Sequence, residues 1–145
     1  MQEILIPKLW RYIAENNPDL LLSLQEEGIV TSYFREKARL AAKLSRQMQA
    51  EMKPLYLIEE QCMDALTGDL RPSKYNYLKA VLEEEFGAEY RQLRKNGTLT
   101  CEIANLIKFC QPVFEEMGFK EGTEDDPRLR HAVTGSIRVY FETAW

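Results

Sequence analysis

With 145 residues, 45% hydrophobic and 29% charged, and a net charge of −4, the sequence has the size and balance of one ordinary globular domain. This excludes a disordered or low-complexity chain and a small, strongly basic nucleic-acid binder. No apolar run approaches the roughly 20 residues that a membrane-spanning helix needs, and the opening MQEILIPKLWRYIA carries Glu3, Lys8 and Arg11 where a signal peptide has an uncharged apolar stretch, so the expectation is one cytoplasmic domain over residues 1–145 with no membrane association.

Apolar spacing is helical along the whole chain. Leu5, Leu9, Tyr12 and Ile13 share one face of a first helix, with Pro7 tolerable in its opening turn. Asn17 and Pro18 suit the start of a second helix and Gly28 its exit. Thr31 or Ser32 is placed to cap a long third helix reaching to about Lys53, with Phe34, Leu40, Ala41, Leu44, Met48 and Met52 as its apolar stripe. Pro54 breaks that helix and opens the next, where Leu55, Ile58, Cys62 and Leu66 align before Gly68.

The stretch RPSKYNYLKAVLEEEFG predicts a helix that Ser73 caps and Gly87 ends, with Tyr75, Leu78, Val81, Leu82 and Phe86 buried. After a turn at Lys95 to Gly97, Ile103, Leu106, Ile107 and Cys110 continue the pattern. Pro112 restarts it with Val113, Phe114 and Met117. The acidic loop KEGTEDDP then leads into a last helix capped by Asp125 or Asp126, begun by Pro127, and striped by Leu129, Val133, Ile137, Tyr140, Phe141 and Ala144. No run alternates as a strand does. The fold class is all-α, a bundle-like arrangement of about six to eight helices by this periodicity.

The motifs that carry chemistry elsewhere find no support here. Tyr75 and Lys79 have the Y-x-x-x-K spacing of short-chain reductases, but that chemistry needs a nicotinamide on a Gly-rich strand-to-helix turn, and no G-x-G-x-x-G is present. Structure accounts for more of these residues: a cap, an apolar face, and the run Glu83 to Glu85, of which Glu85 lies nearest that face and can pair with a cation from another helix. One histidine, His131, and three scattered cysteines, Cys62, Cys101 and Cys110, form no zinc-type cluster and no C-x-x-C. No metal, cofactor or catalytic residue is expected, and the thiols read as reduced and packed.

Charge is unevenly placed. Between Thr31 and Lys53 stand six cations against two anions, a net +4 in a chain of net −4. Arg35, Arg39, Lys43, Arg46 and Lys53 fall within a sector of roughly 80° at helical periodicity, opposite Leu40, Leu44 and Met48. Such a face suits an acidic protein surface, including that of a second copy, or a phosphate backbone; a solvated face neutralised within the molecule is the plain alternative.

The segments RYIAENNPDLL, SKYNYLKAVLEEEF, QPVFEEMGF and LRHAVTGSI, in this order and spacing, resemble the bacterial domain-of-unknown-function family 1896 from about Leu9 to Ile137. Its most specific marks here are Ser73, Lys74, Tyr75, Leu82, Glu83, Glu85 and Phe86. The resemblance implies a small all-helical protein of Bacteroides-type bacteria, often encoded near mobile elements, and brings with it no catalytic residue or ligand. The functional expectation is a non-enzymatic module that binds a protein or DNA partner through the basic face. A small enzyme or ligand-binding protein with a pocket between helices, and a homo-oligomer with a structural or regulatory role, are the alternatives.

Overall fold

The computed structural model describes residues 1–144. Among them every regular element is helical. There are nine α-helices and two short 3-10 turns, and no helix is long and apolar enough to cross a membrane. The chain divides into two compact units, Met1–Arg71 and Pro72–Trp145.

The first unit contains α1 (Gln2–Asn16), α2 (Pro18–Glu27), α3 (Val30–Ala50), α4 (Leu55–Thr67) and a 3-10 turn (Gly68–Leu70). Its buried cluster joins Leu5, Leu9 and Ile13 of α1 to Phe34 and Ala41 of α3 and to Ile58, Cys62 and Leu66 of α4. Each large aliphatic side chain in such a cluster contributes about 1.5–3 kcal/mol by leaving water. On α3 the buried positions are Phe34, Ala41 and Ser45. The small residues let α1 and α4, both packed on α3, come close to its backbone, while Trp10 stacks on Phe34 at 4.1 Å.

The second unit contains α5 (Lys74–Glu85), α6 (Gly87–Asn96), α7 (Leu99–Phe109), α8 (Gln111–Met117), a 3-10 turn (Thr123–Asp125) and α9 (Pro127–Ala144). Its core is larger and more aromatic: Leu78, Val81, Leu82, Ile103, Leu106, Val133 and Ile137 are fully enclosed, and Tyr75, Phe86, Phe114 and Phe141 close around them. Ser73 accepts from the Asn76 amide at 3.0 Å and caps α5 as its sequence predicts. Asp126 accepts from the Arg128 amide at 2.9 Å at the head of α9.

Several expectations require correction. The helix count is nine among the described residues rather than six to eight, because the chain does not end its helical run at Gly87. Phe86 breaks the run at φ −134° and ψ 50°, and Gly87 opens α6. That helix buries one residue, Leu93, so it left no stripe to read. Neither Thr31 nor Ser32 caps α3, which starts at Val30 without a side-chain cap. The reason is the exit of α2: Gly28 in the left-handed region lets the Ile29 amide reach Leu24 at 3.0 Å, and the chain re-enters a helix at once. Asn17 likewise precedes α2 without capping it, and its side chain donates to the Leu70 carbonyl. The α3 stripe also differs, since Leu40 is 38% and Met52 90% exposed. Leu55, Met117 and Ala144 stand exposed as well, each in the last or first turn of its helix, where the neighbouring helix no longer covers that face.

Candidate functional site

The basic face is carried by α3. Arg35, Arg39, Lys43 and Arg46 are all exposed because the burial of Phe34, Ala41 and Ser45 turns the opposite side of the helix to water. Arg39 pairs with Glu36 at 2.5 Å, both side chains 68% exposed, a contact worth a few tenths of a kcal/mol. Among the described residues Arg35, Lys43 and Arg46 are exposed and enter no ion pair.

Two cations of the segment behave otherwise. Lys37 is half-buried and turns to the other side. Its Nζ donates to the Leu66 carbonyl at 3.0 Å and to Asp69 at 3.3 Å, and it lies 5.5 Å from the centre of the Tyr33 ring. It fastens the 3-10 turn after α4. Burial, and behind it the Asp69 charge, pushes the Tyr33 hydroxyl up to about 12. Lys53 lies beyond the end of α3, where it meets Glu51 at 3.3 Å and Gln61 at 3.2 Å. It therefore borders the face instead of continuing its helical row.

The end of α3 holds what the apolar pattern did not reveal. Three helix exits share one hydrogen-bond arrangement, with the amide after the left-handed residue reaching back five residues: Ile29 to Leu24, Thr98 to Leu93, and Lys53 to Met48. In the first two the left-handed residue is Gly28 or Gly97. In the third it is Met52 at φ 60°, where a side chain costs about 1 kcal/mol. This strained methionine is 90% exposed, and after Pro54 come Leu55 at 60% and Tyr56 at 72%. Isolated exposed apolar residues are ordinary, but here three fall within five positions, one of them held against backbone preference. The sequence signal was Met52 standing where Gly28 and Gly97 stand at the other exits.

The residues that mark the family resemblance serve the second unit's architecture. Lys74 donates to Gln111 at 3.2 Å and lies 5.3 Å from the centre of the Phe114 ring. Tyr75 is buried, with its hydroxyl 3.3 Å from that of Thr100. Leu82 is fully enclosed and Phe86 tilts against Phe141 at 5.5 Å. Of the three glutamates, Glu83 lies near Tyr90, whose phenol is raised by burial and, behind it, by Glu83. Glu84 and Glu85 take Arg130 of α9 at 2.6 and 3.7 Å, so Glu85 does meet a cation from another helix, and it does so from an exposed position. Tyr75 and Lys79 thus belong to a packed helix face, with the Tyr75 hydroxyl already engaged.

The family model described as Domain of unknown function (DUF1896) matches residues 7–144. The chain belongs to this family. The match runs through both units of the DUF1896 chain, while no curated protein and no solved structure matches it. Among its described residues no group of three or more His, Cys, Asp or Glu converges closely enough to hold a metal ion. His131 is exposed, and Cys101 is exposed as well, against the expectation of packed thiols, whereas Cys62 and Cys110 are buried free thiols. Burial raises both buried thiols, Cys110 to about 11, which keeps them protonated and poor nucleophiles at neutral pH.

Proposed function

We propose that this DUF1896 protein is a non-enzymatic interaction module that docks an acidic protein partner through the exposed face of α3, with the Met52, Leu55 and Tyr56 tip as an apolar anchor. The observation that carries this reading is the adjacency of two surfaces: Arg35, Arg39, Lys43 and Arg46 in one cationic row, and a strained, exposed apolar tip just past its end. Cations steer and orient a partner, whereas desolvated apolar and aromatic groups supply most of the affinity. A phosphate backbone uses the first kind of surface and has little use for the second, and no aromatic is interleaved among the cations for base stacking. This favours a protein over a nucleic acid. A partner encoded on a mobile element accords with the genomic setting that the family resemblance implies.

The test is affinity capture of partners from the native cell, with and without nuclease, using two variants: Arg39→Glu/Lys43→Glu/Arg46→Glu and Met52→Ser/Leu55→Ser/Tyr56→Ser. A nuclease-resistant partner should be lost in both. Capture that survives both sets of changes sinks the reading. Capture that disappears with nuclease, survives the tip variant and weakens steeply with salt replaces the protein partner with nucleic acid.

A further inference from the structure

A cavity of about 490 Å³ opens on the surface of the second unit, lined by Glu85, Phe86, Glu89, Arg138, Phe141 and Glu142. Its volume lies within the range of about 300–1,000 Å³ that small-ligand sites occupy. Phe86 and Phe141, 5.5 Å apart and tilted by 58°, form an aromatic floor. The Arg138 guanidinium lies 5.9 Å from the centre of the Phe86 ring, so the chain's own side chain already shows a cation resting on that floor.

The electrostatics of the cavity go beyond what this cation balances. Glu85 is the last residue of α5 and Glu142 lies in the last turn of α9. Both sit where the helix dipole disfavours negative charge, so helix preference does not explain their presence. Glu85 is shared with Arg130 at 3.7 Å. Among the described residues Glu89 and Glu142 enter no ion pair. The carboxylates do not converge as metal ligands do, but stand around an aromatic floor, an arrangement that suits an extended organic cation able to place charge on carboxylates and apolar surface on rings.

We propose that this cavity binds a guanidinium or primary ammonium group on a short aliphatic stem, with its N–H donors on Glu89 and Glu142 and its cationic face over Phe86. Arg138 holds the ring position, and it yields that position to the ligand. The same chemistry is presented by a free diamine and by an arginine or lysine side chain of a protein, and the two are separated by the choice of probe.

The experiment is an amide-resolved NMR titration of the full chain with agmatine and, separately, with acetyl-Gly-Arg-Gly-amide. Butylurea, the citrulline peptide and sodium chloride at matched ionic strength are the controls. Saturable shifts at residues 85–89 and 138–142 are expected from the cationic probes alone. Glu89→Gln and Glu142→Gln should each weaken binding by about tenfold, the equivalent of one charge-assisted hydrogen bond, and Arg138→Gln should strengthen it. Tighter binding of agmatine points to a free amine and tighter binding of the peptide to a protein side chain; either outcome supports the site. The proposal is overturned by equal shifts from the neutral analogues or from salt, by no saturation at about 10 mM, where even weak fragments register, or by undiminished binding in the folded Glu89→Gln/Glu142→Gln variant.

Discussion

Residues 1–71 and 72–145 both bury aliphatic stripes, yet among the described residues seven of the ten exposed large apolar side chains, including Met52, Leu55 and Tyr56, belong to the first unit and three to the second. The second unit encloses its aromatics instead, with Tyr75, Phe86, Phe114 and Phe141 in one cluster. Its acidic run is tied across helices to Arg130, whereas the cations of α3 stay largely open. On α3 the buried residues are Phe34, Ala41 and Ser45, with Val30, Tyr33, Leu44 and Met48 packed beside them, which leaves one broad side of the helix in water. One unit thus spends side chains on surface, while the other spends them on its core.

The comparison breaks most visibly in the cores. Leu78→Ala in the second unit and Leu9→Ala in the first both remove fully enclosed side chains. Each should cost about 2–5 kcal/mol in chemical denaturation, with faster amide exchange in the helices of the unit that carries the change. A loss below about 1 kcal/mol at either site means that its cluster is not packed as described.

Alkaline pH is the next lever, and it acts on both units. Burial raises Cys110 from 9.0 to about 11, and raises Tyr33 and Tyr140 from 10.0 to about 12; the Asp69 charge adds to the effect at Tyr33, and the hydrogen bond that Tyr140 donates to Glu102 adds to it there. In each case the unfolded chain loses its proton first. The stability tied to these groups is complete below the unfolded value, declines as pH rises, and is gone above the folded value. Thermal melts should therefore fall between pH 9 and 11 for Cys110, and between 10 and 12 for the two tyrosines. Cys110→Ala should flatten the earlier part of the decline; a curve of unchanged shape contradicts the assignment.

Smaller effects sharpen the contrast at helix ends. Ser73→Ala deletes the cap of α5 and should destabilise by about 1 kcal/mol in urea. Met52→Gly should do the reverse, gaining roughly 0.5–1 kcal/mol as the left-handed position is relieved, while it weakens partner capture. A variant that is more stable and binds equally well shows that Met52 is not part of the contact. Per site the smallest effect is that of the Arg39→Glu/Lys43→Glu/Arg46→Glu change, within about 0.5 kcal/mol each, so that any loss of binding is read as surface chemistry and not as unfolding.

Much of this was legible from residue order. Helical periodicity, the cap at Ser73, a cap for α9 at Asp125 or Asp126, the buried faces of α5 and α9 and the cationic row of α3 all follow from local spacing, which backbone geometry converts directly into faces; the structure selects Asp126. What escaped is just as local in place but not in cause. Helix α6 buries only Leu93, too few apolar residues for a period. Leu40 and Leu55 are apolar by type but exposed, because burial depends on whether a neighbouring helix reaches that turn. Lys37 and Arg35 look alike in sequence, and only the position of the turn after α4 separates a structural clamp from an open cation.

The sequence by itself determined an all-helical chain, where most of its helices begin and end, which side of α3 is cationic, and the family to which the chain belongs. These rest on propensity, capping and period, which act within a few residues. Tertiary structure decided which apolar side chains stay in water, that Met52 takes a strained exit, that Glu84 and Glu85 meet Arg130, and that Glu89 and Glu142 face an aromatic floor across helices far apart in the chain. Those outcomes depend on which elements pack together, and residue spacing along a single helix carries no record of that.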